Sequence, residues 1–262
     1  MKLELLVSTM LQKDTSLVNK MNISTDAIII NQSNYYGYNE IHKENNRIRM
    51  LSFNERGVGK SRNSAIMRSD ADVCVMADDD AVYEDDYEEK ILDEFKQNPK
   101  ADVIIFSVKI IDNNGEKFKK LKRNRVRFFN SFKYGAVRIA FKRDVILKKN
   151  IHFSLLFGGG TKYGSGEDSI FITDCLKKGL KIYTSPQKIA NIYNHESSWF
   201  NGYNKKFFID KGALFRAISP KFAKILILQF VIRRYFLFKN DMKLLEAYRY
   251  MIKGLKNYKE IN

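Results

Sequence analysis

Three consecutive carboxylates, Asp78, Asp79 and Asp80, follow directly on the apolar run Val73-Cys74-Val75-Met76-Ala77. A short apolar run rich in β-branched residues and closed by polar ones reads as a buried strand, so the carboxylates emerge together at its carboxyl end. That edge is where open α/β sheets bind ligands. Packed carboxylates repel one another and favour protonation unless a cation holds them, and hard oxygen ligands suit Mg²⁺ or Mn²⁺ rather than zinc. A metal-bound diphosphate is therefore one guest the triplet suits. A solvated loop or helix cap is the other reading, because Glu84, Asp85, Asp86, Glu88 and Glu89 carry the acidic run on to a helix start.

The 262 residues suffice for one large α/β unit with an appendage, and 44% hydrophobic residues support a packed core and argue against disorder. A formal net charge of +16 implies an anionic partner, whether nucleic acid, an acidic membrane surface or phosphorylated substrates. Of the two cysteines, Cys74 lies inside the apolar run and Cys175 in a helical pattern, so no disulfide framework is expected and the compartment reads as reducing. Residues 1–10 place an acidic residue within a short apolar run and offer no small-residue cleavage site. They read as a first strand rather than a signal peptide, which gives a cytosolic expectation.

Residues 3–8, 26–31, 48–53, 72–77 and 102–111 read as strands, separated by stretches that include helical patterns at 61–69 and 85–97. The alternation predicts βαβ units and a mostly parallel sheet. Asn113-Asn114-Gly115 predicts a tight hairpin turn, residues 136–141 a later strand and 143–149 a short helix. Five glycines in the nine positions 158–166 rule out a regular element and predict a lid able to rearrange. A helix over 168–178, capped by Gly179, leads to strands at 180–184 and 188–194. From about residue 200 the chain turns basic, aromatic and helical, which divides it into a unit over 1–200 and a helical extension over 201–262.

Gly57-Val58-Gly59-Lys60-Ser61 is a poor phosphate loop of the nucleotide-hydrolysing kind, because Asn54 stands where the pattern needs its first glycine. It reads better as a loop feeding a helix whose Arg62 and Asn63 either face a nucleotide or lie on the surface. Glu167-Asp168 opens a helix, where carboxylates serve as caps; beside a loop able to close a dry pocket, they also suit a general base. His195 stands at the end of the last strand, one of three histidines in the chain, with a structural and a functional reading both open.

The run from Gly59 through Arg62-Asn63, the strand ending in Asp78-Asp79-Asp80, Gly166-Glu167-Asp168 before a helix and His195 after a late strand together resemble the family 2 glycosyltransferases of GT-A fold. The resemblance covers about residues 1–200. It implies a Rossmann-like, mostly parallel sheet flanked by helices, and metal-dependent, inverting transfer from a nucleotide sugar, with UDP as the expected nucleotide. Asp80, with Asp78 the favoured companion over Asp79, would bind Mn²⁺ or Mg²⁺ at the donor diphosphate. Asp168 would take the acceptor proton, Glu167 would orient the acceptor, and His195 would join the metal or diphosphate shell. Arg62, Asn63, Ser8 and Thr9 would lie on the nucleotide side. Relatives usually carry an aspartate at the end of the second strand, whereas this chain has Asn31-Gln32-Ser33, which leaves the nucleobase open.

Residues 222–238 are rich in large apolar groups, but Lys224, Arg233 and Arg234 interrupt them, so they read as too short to span a bilayer. With the flanking lysines they suit a helix lying on an anionic surface, or one packed on the domain or on a second subunit. A saccharide on a polyprenyl diphosphate carrier would give such a surface a purpose. It would place the protein at the inner face of the plasma membrane, in cell-surface polysaccharide synthesis. Two competitors stand beside this reading. A sugar nucleotidyltransferase would carry a glycine-rich, arginine-containing loop where Ser8-Thr9-Met10-Leu11-Gln12-Lys13 stands. A nucleic-acid-binding protein would use Arg125 to Phe129 and Phe132-Lys133-Tyr134 for stacking, yet the acidic edge would repel a polyanion, so no nucleic acid is expected.

Overall fold

The computed structural model describes residues 1–113, 115–194 and 202–258. The amino-terminal half winds a sheet outward and then back across its own first strand. β1 (Leu3–Met10) leads through the one-turn α1 (Leu17–Lys20) to the parallel β2 (Asp26–Gln32), and the hairpin β3 (Gly37–Lys43) and β4 (Asn46–Phe53) closes this edge, with β4 parallel to β2. After α2 (Val58–Arg68) the chain returns to the other side of β1 as the parallel β5 (Val73–Asp78). Such a reversal opens a crevice at the carboxyl ends of the two central strands. Here it falls between β1 and β5, with Ser8 opposite Asp78.

The remaining strands complete the order β3-β4-β2-β1-β5-β10-β7-β11-β6. β6 (Ala81–Tyr83) and α3 (Tyr87–Gln97) precede β7 (Val103–Asp112), which pairs with β8 (Gly115–Phe118) across residues 113–114 at the expected hairpin. The short β9 (Asn124–Arg125) pairs with the late strand β11. Residues 136–138 form a 3-10 turn rather than the start of a strand, and β10 (Ile139–Lys142) runs antiparallel between β5 and β7. α4 (Arg143–Lys148) and α5 (Glu167–Lys177) follow. The two late strands expected from sequence are one, β11 (Ile182–Asn194), with register shifts around Pro186, whose missing N–H forces a break in the ladder without ending the strand.

The central strands are apolar throughout because both faces are covered. Leu3, Leu5, Val7, Val73, Val75 and Ala77 pack into one core and Leu6, Cys74 and Met76 into the other. In the second core Phe171 of α5 stacks on Phe153 with ring centroids 4.2 Å apart and lies 5.8 Å from Phe141 of β10. This pile anchors α5, whose first residues are Glu167 and Asp168; truncating such a ring typically costs about 3–5 kcal/mol. Cys74 and Cys175 are buried and unpaired with each other, and burial pushes the Cys74 thiol up to about 12.

Three helices end the chain: α6 (Lys205–Ile218), capped by Asn204 accepting from Phe207 N at 3.0 Å, α7 (Ala223–Phe238) and α8 (Leu244–Asn257). α6 shares a core with the glycine loop and α5 through Phe157, Tyr163, Ile170, Ala213, Leu214 and Ile218. α6 and α8 cross backbone against backbone. A Cβ on Gly212 would lie 1.9 Å from the Met251 carbonyl oxygen, and one on Gly254 1.9 Å from that of Ile209. No helix among the described residues is long and apolar enough to cross a membrane.

Candidate active site

Two carboxylate groups meet at the crevice, one from the end of β5 and one from the start of α5, and a single arginine ties them together. Arg62, on the buried face of α2 and 3% exposed, donates from Nη2 to both oxygens of Asp78 at 3.0 Å and from Nη1 to Glu167 Oε1 at 2.8 Å. Its guanidinium also lies 5.3 Å from the centre of the Phe153 ring. The two anions hold Arg62 above its ordinary pKa against the opposing effect of burial. Sequence placed Arg62 on the nucleotide side; in the structure it is a brace, and its partner Glu167 lies 105 residues further along.

The brace is seated by close packing. Gly59, in the first turn of α2, lies where a Cβ would be 2.2 Å from the Ser154 carbonyl oxygen, and Asn63 pins the same segment by exchanging hydrogen bonds with Phe153 N and O at 2.8 and 2.9 Å. The Asn63 amide is thus committed to the backbone rather than turned to a ligand. Gly158 has φ +103°, and a Cβ there would meet Glu167 Oε2 at 2.8 Å and Val58 Cγ1 at 2.5 Å. The glycine loop is further tied by Val58 N to Gly159 O at 3.0 Å and Gly164 N to Asp210 Oδ2 at 3.1 Å. Sequence predicts a lid from these glycines; in the structure Gly158 permits close approach to Glu167, Gly160 to Gly57 and Gly166 to Leu214.

The other sequence-predicted residues take three kinds of place. Ser8 is buried and accepts from Ser61 Oγ at 2.9 Å, while Thr9 donates to Asp79 and accepts from Gln12 Nε2 at 2.9 Å, so both are fixed at the carboxyl end of β1. Asn31 is fully buried and holds the loop after β1, bonding Gln12 N and O and Ser52 Oγ at 2.9–3.0 Å. His195 lies outside the described residues.

Within the acidic triplet the three side chains have separate environments. Asp78 accepts from Arg62 and Asp79 from Thr9, whereas Asp80 Oδ1 is buried with no hydrogen-bond partner. Burial first, then the charges of Asp78 and Asp79, push the Asp80 carboxyl up to about 6. A buried carboxylate oxygen with no partner, crowded by two like charges, suits a divalent cation. Among the described residues no group of three histidine, cysteine or acidic side chains could hold a metal by itself.

Asp168 stands at the amino end of α5, where Oδ1 accepts from Ser169 N at 2.6 Å. Burial, and then the neighbouring Glu167, raise its pKa; the Ser169 N–H, Arg62 and Lys211 act against the rise. Lys211 of α6 is itself pushed down by burial, with Asp168 and Asp210 favouring its charge. In sequence Lys211 is one of many basic residues after position 200, and nothing in its own identity singles it out. The sole signal was its neighbour Asp210, an acidic residue in a basic stretch, which fastens α6 to the glycine loop. Beside Asp168 opens a cavity of about 820 Å³ between the 129–133 segment, α5, α6 and α7.

A large central sheet flanked by helices, with parallel strands around the reversal point and an acidic edge there, defines a GT-A α/β protein. The model of the family "Glycosyl transferase family 2" matches residues 15–155, more than half of the chain, and the chain belongs to that family: it is a glycosyltransferase. The matched span contains Arg62 and the aspartate triplet and stops short of Glu167 and Asp168. Among solved structures, residues 1–349 of TarS from S. aureus in complex with UDP align with a TM-score of 0.65 at 13% identity, over 97% of this chain and 81% of that one. The complex with UDP-GlcNAc gives 0.65 at 14% identity, over 97% and 80%. A longer TarS structure gives 0.62 at 14% identity, with 97% of this chain and 49% of that chain covered. No curated protein matches the chain.

Proposed function

We propose that the chain transfers a sugar, with inversion, from a UDP-linked donor to a hydroxyl of a saccharide or lipid-linked saccharide, in the synthesis of a cell-surface polysaccharide. The observation that carries this reading is the Arg62 brace, which brings Asp78 of the triplet and Glu167, the neighbour of Asp168, to one arginine. The likeness in fold to a protein solved with UDP and with UDP-GlcNAc supports the choice of donor.

In this mechanism the donor diphosphate lies over the carboxyl ends of β1 and β5, above Ser8, Thr9 and Asp79. Asp80 would hold Mn²⁺ or Mg²⁺ through its unpartnered oxygen, and the ion would supply positive charge against that of the departing nucleotide. Asp78 stays with Arg62. The acceptor oxygen attacks the anomeric carbon as the bond to the diphosphate breaks, and its proton passes to the Asp168 carboxylate. A base near neutrality is suited to that transfer, and burial beside Glu167 raises Asp168 in that direction. Glu167, fixed by Arg62 and by Gly166 N at 3.1 Å, orients the acceptor.

The test is donor screening with Mn²⁺ present. Thermal stabilisation by a UDP-sugar in the wild type, lost in Asp80→Ala, is expected; equal stabilisation in both would remove Asp80 from the donor site. A surface role accompanies the reading. Phe222, Ile225, Leu228, Ile232 and Phe236 are exposed at helical spacing along α7, among Lys221, Lys224, Arg233 and Arg234, and we assign this stripe to an anionic membrane at the cytoplasmic face. Sedimentation with anionic vesicles at low salt, abolished in Ile225→Glu, is the expected result; undiminished sedimentation of the variant would refute the assignment.

A further inference from the structure

The cavity beside Asp168 differs from the crevice above β5 in the kind of chemistry on its walls. Its apolar surface comes from Phe129 and Phe132 on one side and Leu214, Phe215 and Phe230 on the other, and Ser169, next to Asp168, forms part of its lining. Four cations line it, Lys133, Lys211, Arg233 and Arg234, and no carboxylate does. None of the four forms an ion pair among the described residues. Its volume of about 820 Å³ falls within the roughly 300–1,000 Å³ of small-molecule sites. Phe129, 86% exposed, and Phe236, 63% exposed, form its outer rim, and Phe236 also belongs to the apolar stripe of α7.

Unpaired cations over an apolar floor select an occupant with a compact anion joined to a hydrocarbon chain. A sugar alone would waste the cations, and a free polyanion would leave the rings facing water. We infer that this groove is the acceptor site for a polyprenyl diphosphate-linked saccharide. The diphosphate lies among Lys133, Arg233 and Arg234, the first isoprene units lie against Phe215 and Phe230, and the saccharide hydroxyl reaches Asp168. Because the rim continues into the α7 stripe, the lipid enters sideways from a membrane surface without its chain crossing water. This inference rests on the glycosyltransferase reading above and gives its acceptor a chemical class.

The experiment is calorimetric titration of the full chain, saturated with UDP so that the crevice is occupied, with three probes: farnesyl diphosphate, inorganic pyrophosphate and farnesol. Farnesyl diphosphate is expected to bind at least tenfold more tightly than either fragment. The double variant Arg233→Gln/Arg234→Gln, at exposed positions, is expected to weaken it at least tenfold while keeping thermal stabilisation by UDP. Phe129→Ser is expected to weaken farnesyl diphosphate and leave pyrophosphate unchanged. Equal binding of pyrophosphate would make the groove a plain anion site and overturn the inference, as would equal binding of farnesol or unchanged affinity in the double variant. Any of these with UDP stabilisation intact would leave the donor assignment standing; absence of UDP stabilisation in the wild type would strike the donor assignment instead.

Discussion

The two sides of Asp168 are built on opposite principles. Toward the sheet, charge meets counter-charge within a few ångströms where Arg62 joins Asp78 and Glu167, and Asp79 accepts from the Thr9 hydroxyl. Toward the helices, four cations face a groove that holds no carboxylate. The first side is pre-organised and leaves unpartnered one oxygen of Asp80 and Nε of Arg62, and the second is left in want of an anion. Preformed dipoles and ion pairs are worth most where charge develops during a reaction, and unpaired cations are worth most where charge has to be captured.

Experiments can break or sharpen this contrast, beginning with the largest effect. Asp168→Asn should lower turnover by about 10²–10⁴-fold while donor stabilisation persists. The same change should raise the melting temperature at neutral pH. Because the folded pKa of Asp168 lies above its ordinary value, its contribution to stability is present at low pH and is lost as pH rises through the folded value, whereas activity rises over that interval. A wild-type rate that is flat down to pH 4 would dissociate Asp168 from proton transfer. Arg62→Met leaves Asp78 and Glu167 facing one another without a cation, and denaturant unfolding should show a loss of about 3–5 kcal/mol; a loss below 1 kcal/mol would mean the brace is dispensable. Gly212→Ala drives a methyl into the Met251 carbonyl and should cost about 1–3 kcal/mol by the same measurement. Smallest is Lys211→Met, which removes a charge that favours the ionised Asp168: the pH–rate profile should move to higher pH, with less than about tenfold change in rate at its plateau.

Sequence carried the sheet side better than the helical side, for physical reasons. β1, β2, β4, β5 and β7 are strands buried on both faces or on one, and their apolar runs announce them to within two residues of either end. β3 went unread because its pattern is Gly-Tyr-Asn-Glu-Ile-His-Lys, with no residue buried, and its turn uses Glu44 at φ +56° rather than a glycine. The aspartate triplet and the Glu167-Asp168 pair are local in sequence, so their positions at element ends were legible. What joins them was not, because Arg62 reaches a residue more than a hundred positions away. Asn31 and Asn63 looked available as polar residues near the crevice, but their amides are spent on the backbone of neighbouring loops. The groove draws its walls from segments between Phe129 and Phe236, and no window of sequence contains it.

The crossing of α6 and α8 leaves no compressible layer between the chain's last helix and the wall beside Asp168. Gly212 and Gly254 let two main chains touch directly, and Lys211 and Leu214 ride on the same stretch of α6. A side-chain interface could absorb a small shift by changing rotamers; carbonyls resting on Cα atoms have no such slack. Whatever grips α8 therefore holds α6, with Lys211 and Leu214 on it, as a strut holds a shelf, and the groove wall is set from the far end of the polypeptide.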